Sequence, residues 1–211
     1  MSSDSDNMTR IILVRHGHVE GISPERFRGR RDVELSDLGV RQAAATAQRI
    51  AEQWKPVTAY TSPLKRCVHT AAPIAAACNI SSVVLNDLDD VHYGDWEWCT
   101  HEAVRAQWPA LYKRWLKAPH LVRFPNGESL QEVAARVSNV LRLALECHRR
   151  QTVVVVGHSF GNRALLLQTL DQPLSAYWRL GQDPCALSEI EIQEHSTTVH
   201  RLNETRHLPA T

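Results

Sequence analysis

The chain has 211 residues, 43% hydrophobic and 22% charged, a globular mixture long enough to bury a substantial core in one domain. With 24 Lys and Arg against 23 Asp and Glu, the formal charge is +1, so no chain-wide electrostatic pull on nucleic acid is expected. No apolar run approaches the about 20 residues of a membrane span, and the five scattered cysteines contain no CxxC pair, which argues against both a disulfide framework and a zinc cluster.

Residues 1–9 open on a polar stretch without the basic start and apolar core of a signal peptide, and read as a disordered leader to one domain over 10–211. The expected compartment is a reducing cytoplasm. Ile11–Val14 reads as a buried strand that ends at Arg15-His16-Gly17. A loop through Gly21, Pro24 and Gly29 carries Arg26, Arg28, Arg30 and Arg31. Ser36 is a candidate N-cap for a helix reaching Trp54. Val57–Tyr60 is a second strand, and Pro63 is expected to start a helix that runs to Cys78, with a kink at Pro73.

Ser82–Leu85 reads as a third strand. Helical stretches broken by Pro109, Pro119 and Pro125 follow, then one long helix from Glu128 to Arg149. Four consecutive valines in Thr152–Val156 suit a strand buried on both faces. A helix after Ser159 and two strands near Leu187–Ile192 and Thr197–Leu202 complete the chain. This alternation predicts a three-layer α/β/α domain with a mostly parallel central sheet. Such sheets bind ligands beyond the carboxyl ends of their strands, where the sharpest motifs fall.

Arg15-His16-Gly17 delivers a neutral imidazole, a good nucleophile, next to a guanidinium able to grip phosphate through two parallel hydrogen bonds. Gly17 is read as letting the backbone bend closely around a ligand. Arg66, in Ser62-Pro-Leu-Lys-Arg66, is expected in a first helical turn, where a cation is disfavoured unless an anion binds beside it. Gly157-His158-Ser159-Phe160-Gly161 admits two readings. His158 is a second phosphate-binding imidazole, or Ser159 is the nucleophile of an α/β-hydrolase, served by Asp171 or Asp183 and by His195 or His200. The second reading leaves little chain to carry the acid and base, and no task for Arg15, His16 or Arg66. In Leu88–Glu97 several carboxylates compete for the general-acid role, with Asp89 and Asp95 assigned to a solvated loop.

Together these segments resemble the histidine phosphatase superfamily, also called phosphoglycerate-mutase-like. The resemblance lies in Leu13–Gly17, Arg28–Ser36 through Gly39 and Gln42-Ala43, Thr61–Arg66 with Thr70-Ala71, Asp90 through Trp96, Asn126–Ser129 and Val156–His158, in that order. It implies that His16 forms a phosphohistidine and that Arg15, Arg66 and His158 clamp the phosphoryl oxygens. The N–H of Ser159 would add a donor. Asp90 falls where the family has a proton-donating Glu, with Glu97 or a water relay as alternatives. Arg28 would contribute to the clamp, and His92 would assist or bind substrate. No metal or other cofactor is implied.

The chain departs from the family at His18 and Val19, at Ile22 in place of a phosphate-contacting Asn, and at the shorter Asp90. The segments Trp115–Ser129 and Leu174–Gly181, with Leu202-Asn203 and His207-Leu208, look like metal-independent phosphoserine phosphatases and α-ribazole phosphatases of this superfamily. The expected function is hydrolysis of a small phosphorylated metabolite, phosphoserine or another carboxylate-bearing phosphate. At most two of Arg26, Arg28, Arg30 and Arg31 are assigned to the substrate. The alternatives are a cofactor-dependent phosphoglycerate mutase, whose longer chain shields the phosphohistidine, and a non-catalytic module that holds a phosphorylated ligand. The partner is a small molecule, not nucleic acid or membrane, and a homodimer is left open.

Overall fold

The computed structural model describes residues 8–20 and 25–209. Ile22 and all but the last two residues of the leader lie outside them. Thr9, assigned to the leader, is buried and opens the first strand, β1 (Thr9–Arg15).

The other strands are β2 (Pro56–Thr61), β3 (Ser81–Val84), β4 (Thr152–Gly157), β5 (Leu187–Ile192) and β6 (Thr197–Glu204). They form one six-stranded sheet in the order β3-β2-β4-β1-β5-β6. The first four in that order run parallel, and β5 and β6 add on antiparallel. The four valines thus lie in a central strand between β2 and β1, all fully buried.

The alternation of side chains along each strand divides the core in two. Ile12, Val14, Val154 and Val156 pack on α1 (Asp37–Gln53) and α2 (Lys65–Cys78). Ile11, Leu13, Val153 and Val155 face α5 (Leu130–Cys147) and α6 (Ser159–Thr169), with Trp115 of α4 (Pro109–Lys117) and Val104 of α3 (His101–Gln107). These are the three layers expected.

Helix starts follow their caps. The Ser36 side chain accepts from Gly39 N, and Ser129 with Glu132 forms a capping box. The long helix therefore begins at Leu130, leaving Glu128 outside it to pair with Arg136 and Arg30. Pro63 does not start α2. Ser62 Oγ takes the Leu64 N–H, and the helix begins at Lys65, whose N–H is taken by Asp32. The helix continues through Pro73 to Cys78.

Candidate active site

The sheet register brings the motifs together. Arg15 pairs with Gly157 across β1 and β4, and Thr61 with Val156 across β2 and β4. The next residues, His16, His158 and Ser62, therefore leave adjacent strand tips side by side. The rings of His16 and His158 lie 5.2 Å apart, tilted by 59°.

His16 Nδ1 lies 2.8 Å from Gly17 O. A carbonyl only accepts, so Nδ1 carries the hydrogen and Nε2 keeps its lone pair. Nε2 takes no hydrogen bond from the described residues, and His16 lines a cavity of about 180 Å³. Burial, then Arg66 and Arg15, hold the His16 pKa well below its ordinary value, so the ring is neutral at physiological pH.

Gly17 serves a different end from the one expected. A Cβ there would meet Gly39 O at 2.7 Å, so the glycine admits the start of α1, not a ligand. The turn is braced further by Gly17 N donating to Thr70 Oγ1 and by His18 N donating to Gln42 Oε1. Asn126–Ser129 is likewise architectural. His92 N donates to Glu128, and Arg136 donates to the carbonyls of Asp87, Asp89 and Asp90.

Arg15, Arg28, Asp90 and Ser159 line the cavity with His16. Arg15 Nη1 donates to Gln182 O, but its buried Nε finds no partner. Burial and the neighbouring Arg28 and Arg163 lower the Arg15 pKa to about 10, so the guanidinium is still charged at neutral pH. The loop after Arg179 holds this strand tip from the far side. Cys185 N donates to the carbonyls of Arg15 and His16, and Arg15 N donates to Ala186 O. Asn203 on β6 fixes that loop by accepting from Asp183 N and donating to Asp183 Oδ2.

Arg66 and His158 stand behind this lining. Arg66 is 0% exposed and donates to Gly29 O, Arg31 O, Asp90 Oδ2 and His158 Nδ1, at 2.8, 2.9, 3.0 and 3.3 Å. The anion its helical position calls for is Asp90, supplied by the protein itself. His158 accepts from Arg66 at Nδ1, so Nε2 carries its hydrogen and donates to Ser62 Oγ. Its pKa too is held well below the ordinary value, by burial and then Arg66.

His92 is tied down through its backbone and does not line the cavity. Glu97 accepts from Arg30 N, also outside it. Asp89 is half-buried and paired with Arg30, not solvated as expected, whereas Asp95 accepts from Asn126. Of the loop arginines, Arg26 and Arg28 line the cavity, while Arg30 pairs with Asp89 and Glu128 and Arg31 stacks on Trp98. The serine-hydrolase partners are elsewhere. His200 pairs with Glu191 at the sheet edge, Asp183 with Asn203, and Asp171 follows the end of α6.

Sequence reasoning missed Arg163, which lines the cavity between Ser159 and Tyr177. Its signal was the i, i+4 spacing from Ser159 on a helix that begins at a strand tip. Phe27, Tyr93, Trp115, Tyr177 and Trp178 supply an aromatic wall.

The sequence profile of the histidine phosphatase superfamily (branch 1) matches residues 11–205. The chain belongs to the histidine phosphatase superfamily. It is 36% identical over 201 residues to phosphoserine phosphatase 1 of Hydrogenobacter thermophilus, covering 95% of each chain. It is 31% identical over 163 residues to a metal-independent phosphoserine phosphatase of Arabidopsis thaliana, covering 76% of this chain and 68% of the relative. Among solved structures, mycobacterial glucosyl-3-phosphoglycerate phosphatase Rv2419c superposes with a TM-score of 0.84 at 26% identity, covering 94% of this chain and all of the other. The protein is thus an enzyme and a phosphatase, not a binding module without turnover. Among the described residues, no helix is long and apolar enough to cross a membrane.

Proposed function

We propose that this phosphatase hydrolyses a small phosphomonoester bearing a carboxylate, with phosphoserine as the leading candidate, through a phosphohistidine on His16 and without a metal ion. One observation carries the reading: the neutral His16 presents an unpartnered Nε2 in a cavity where Arg15 keeps an unpartnered Nε. A phosphoryl oxygen set beside the Arg15 guanidinium brings phosphorus to His16 Nε2. The cavity of about 180 Å³ suits a small ester, and the names of the relatives favour phosphoserine.

In the first step Nε2 attacks phosphorus in line and the bond to the ester oxygen breaks. Asp90 takes up the proton that the phosphate monoanion brings into the cavity and passes it to the departing alkoxide. Of the carboxylates lining the cavity, Asp90 is the inner one, beside Arg66 and His158, whereas the Glu25 side chain is 70% exposed. In the second step water attacks the phosphohistidine, Asp90 takes its proton, the P–N bond breaks and inorganic phosphate leaves. Arg15 and Arg28, together with the N–H of Ser159 at the start of α6, stabilise the charge on the equatorial oxygens, with Arg66 and His158 reinforcing from behind.

The test is labelling with ³²P-phosphoserine quenched in alkaline detergent, alongside turnover in EDTA. Label stable in base and absent from His16→Ala, with undiminished turnover in EDTA, is the expected result. Turnover without label, or its loss on chelation, overturns the mechanism.

A further inference from the structure

The cavity contains more positive charge than one phosphoryl group needs, and the charge is divided between two walls. Arg15 stands beside His16 at the tip of β1, whereas Arg163 comes from α6, four residues after Ser159. Arg163 is held like a ligand-binding group. Its Nε donates to Leu180 O at 2.7 Å, which fixes the direction of the fork. Its guanidinium carbon sits 5.1 Å from the ring centre of Tyr177 and 5.4 Å from that of Trp178. No carboxylate pairs with it among the described residues; besides Leu180 O, its guanidinium hydrogen-bonds with the Tyr177 side chain.

A planar fork that is oriented by Leu180 O and Tyr177, backed by aromatic rings and set in the cavity lining with no carboxylate of its own suits recognition of a substrate carboxylate. Its charge also reaches Arg15, whose protonated form it disfavours, so an anion bound between the two walls relieves both. Arg30 and Arg31 offer no comparable group, because their charges are turned to Asp89, Glu128 and Trp98.

We infer that Arg163 is the specificity residue of this site, receiving a carboxylate on the substrate's leaving group while Arg15 and His16 engage the phosphoryl. The substrate class is then a phosphomonoester whose alcohol carries a second anion a few bonds from the ester oxygen. This rests on the phosphatase reading above and deepens it.

Two matched pairs test the assignment: phosphoserine with phosphoethanolamine, and 3-phosphoglycerate with glycerol 3-phosphate. Within each pair only the first member bears the carboxylate. The wild-type enzyme is expected to favour the carboxylate member of at least one pair by about 10- to 100-fold in kcat/KM, the range of a charge-assisted hydrogen bond. Arg163→Gln brings that ratio close to one, and Arg163→Lys gives an intermediate ratio because it keeps the charge but loses the fork. Equal slowing of both members by Arg163→Gln, or no wild-type preference in either pair, overturns the assignment. A missing wild-type preference overturns the assignment whether or not the variants fold. If His16 labels with p-nitrophenyl phosphate but neither carboxylate ester is preferred, this inference fails and the phosphatase mechanism stands. Absence of label from every donor breaks the underlying mechanism instead.

Discussion

Two guanidiniums at the same site, one buried and one half-buried, make opposite use of their donors. Arg66, at the start of α2, spends its donors on Gly29 O, Arg31 O, Asp90 and His158. Arg15, at the tip of β1, makes one side-chain hydrogen bond and leaves Nε unanswered. The first is a brace that gathers the arginine loop, the acid and the second imidazole around one charge. The second keeps donor capacity at the cavity, where the proposed mechanism places a phosphoryl oxygen. Position in the chain decides which is which, since a helix start faces inward across the loop that precedes it, whereas a strand tip looks into the cleft.

The largest effect belongs to the group both arginines serve. His16→Ala should reduce kcat by at least about 10⁴-fold, the scale of losing a nucleophile, measured with p-nitrophenyl phosphate to remove the need for an acid. Arg15→Ala should cost about 10²- to 10³-fold in kcat/KM, with a Tm change smaller than that of Arg66→Ala. The brace should fail differently. Arg66→Ala strands the Asp90 carboxylate and should lower stability by about 3–5 kcal/mol, as breaking a buried pair does, read from urea unfolding. If Arg15→Ala is the more destabilising of the two, the contrast is wrong. Asp90→Asn should slow alkyl phosphates more than p-nitrophenyl phosphate, and equal losses move the acid role to another group.

The smallest effect is a pH slope. His16 and His158 are held neutral in the fold and gain protons on unfolding once the pH drops below about 6.5. Their contribution is therefore present in full above that value and lost progressively as the pH falls, at up to about 1.4 kcal/mol per pH unit for each ring. His16→Ala should reduce the slope between pH 6.5 and 5 by up to about 1.4 kcal/mol per pH unit, leaving the share of His158 and of the half-buried His207. An unchanged slope would mean that His16 is not the buried neutral ring described here.

Sequence reasoning reached the sheet, its parallel sense and the convergence of Arg15, His16, Asp90 and Ser159, because valine runs, Ser caps and strand-end motifs are local signals. It did not reach the contacts that hold Arg66, Gly17 and His92, because their partners lie many residues away. Gly17 yields to Gly39, Arg66 to carbonyls in the 29–31 loop, and His92 is anchored by Glu128. Arg163 escaped because an arginine inside a helix resembles any solvated one until Leu180 O, Tyr177 and Trp178 are seen to orient it.

The loop that grips the Arg15–His16 tip is itself secured by Asn203, so the setting of the His16 imidazole depends on the sixth strand as well as the first. A polypeptide cut short before residue 181 would keep His16 and lose the backbone contacts that hold its turn.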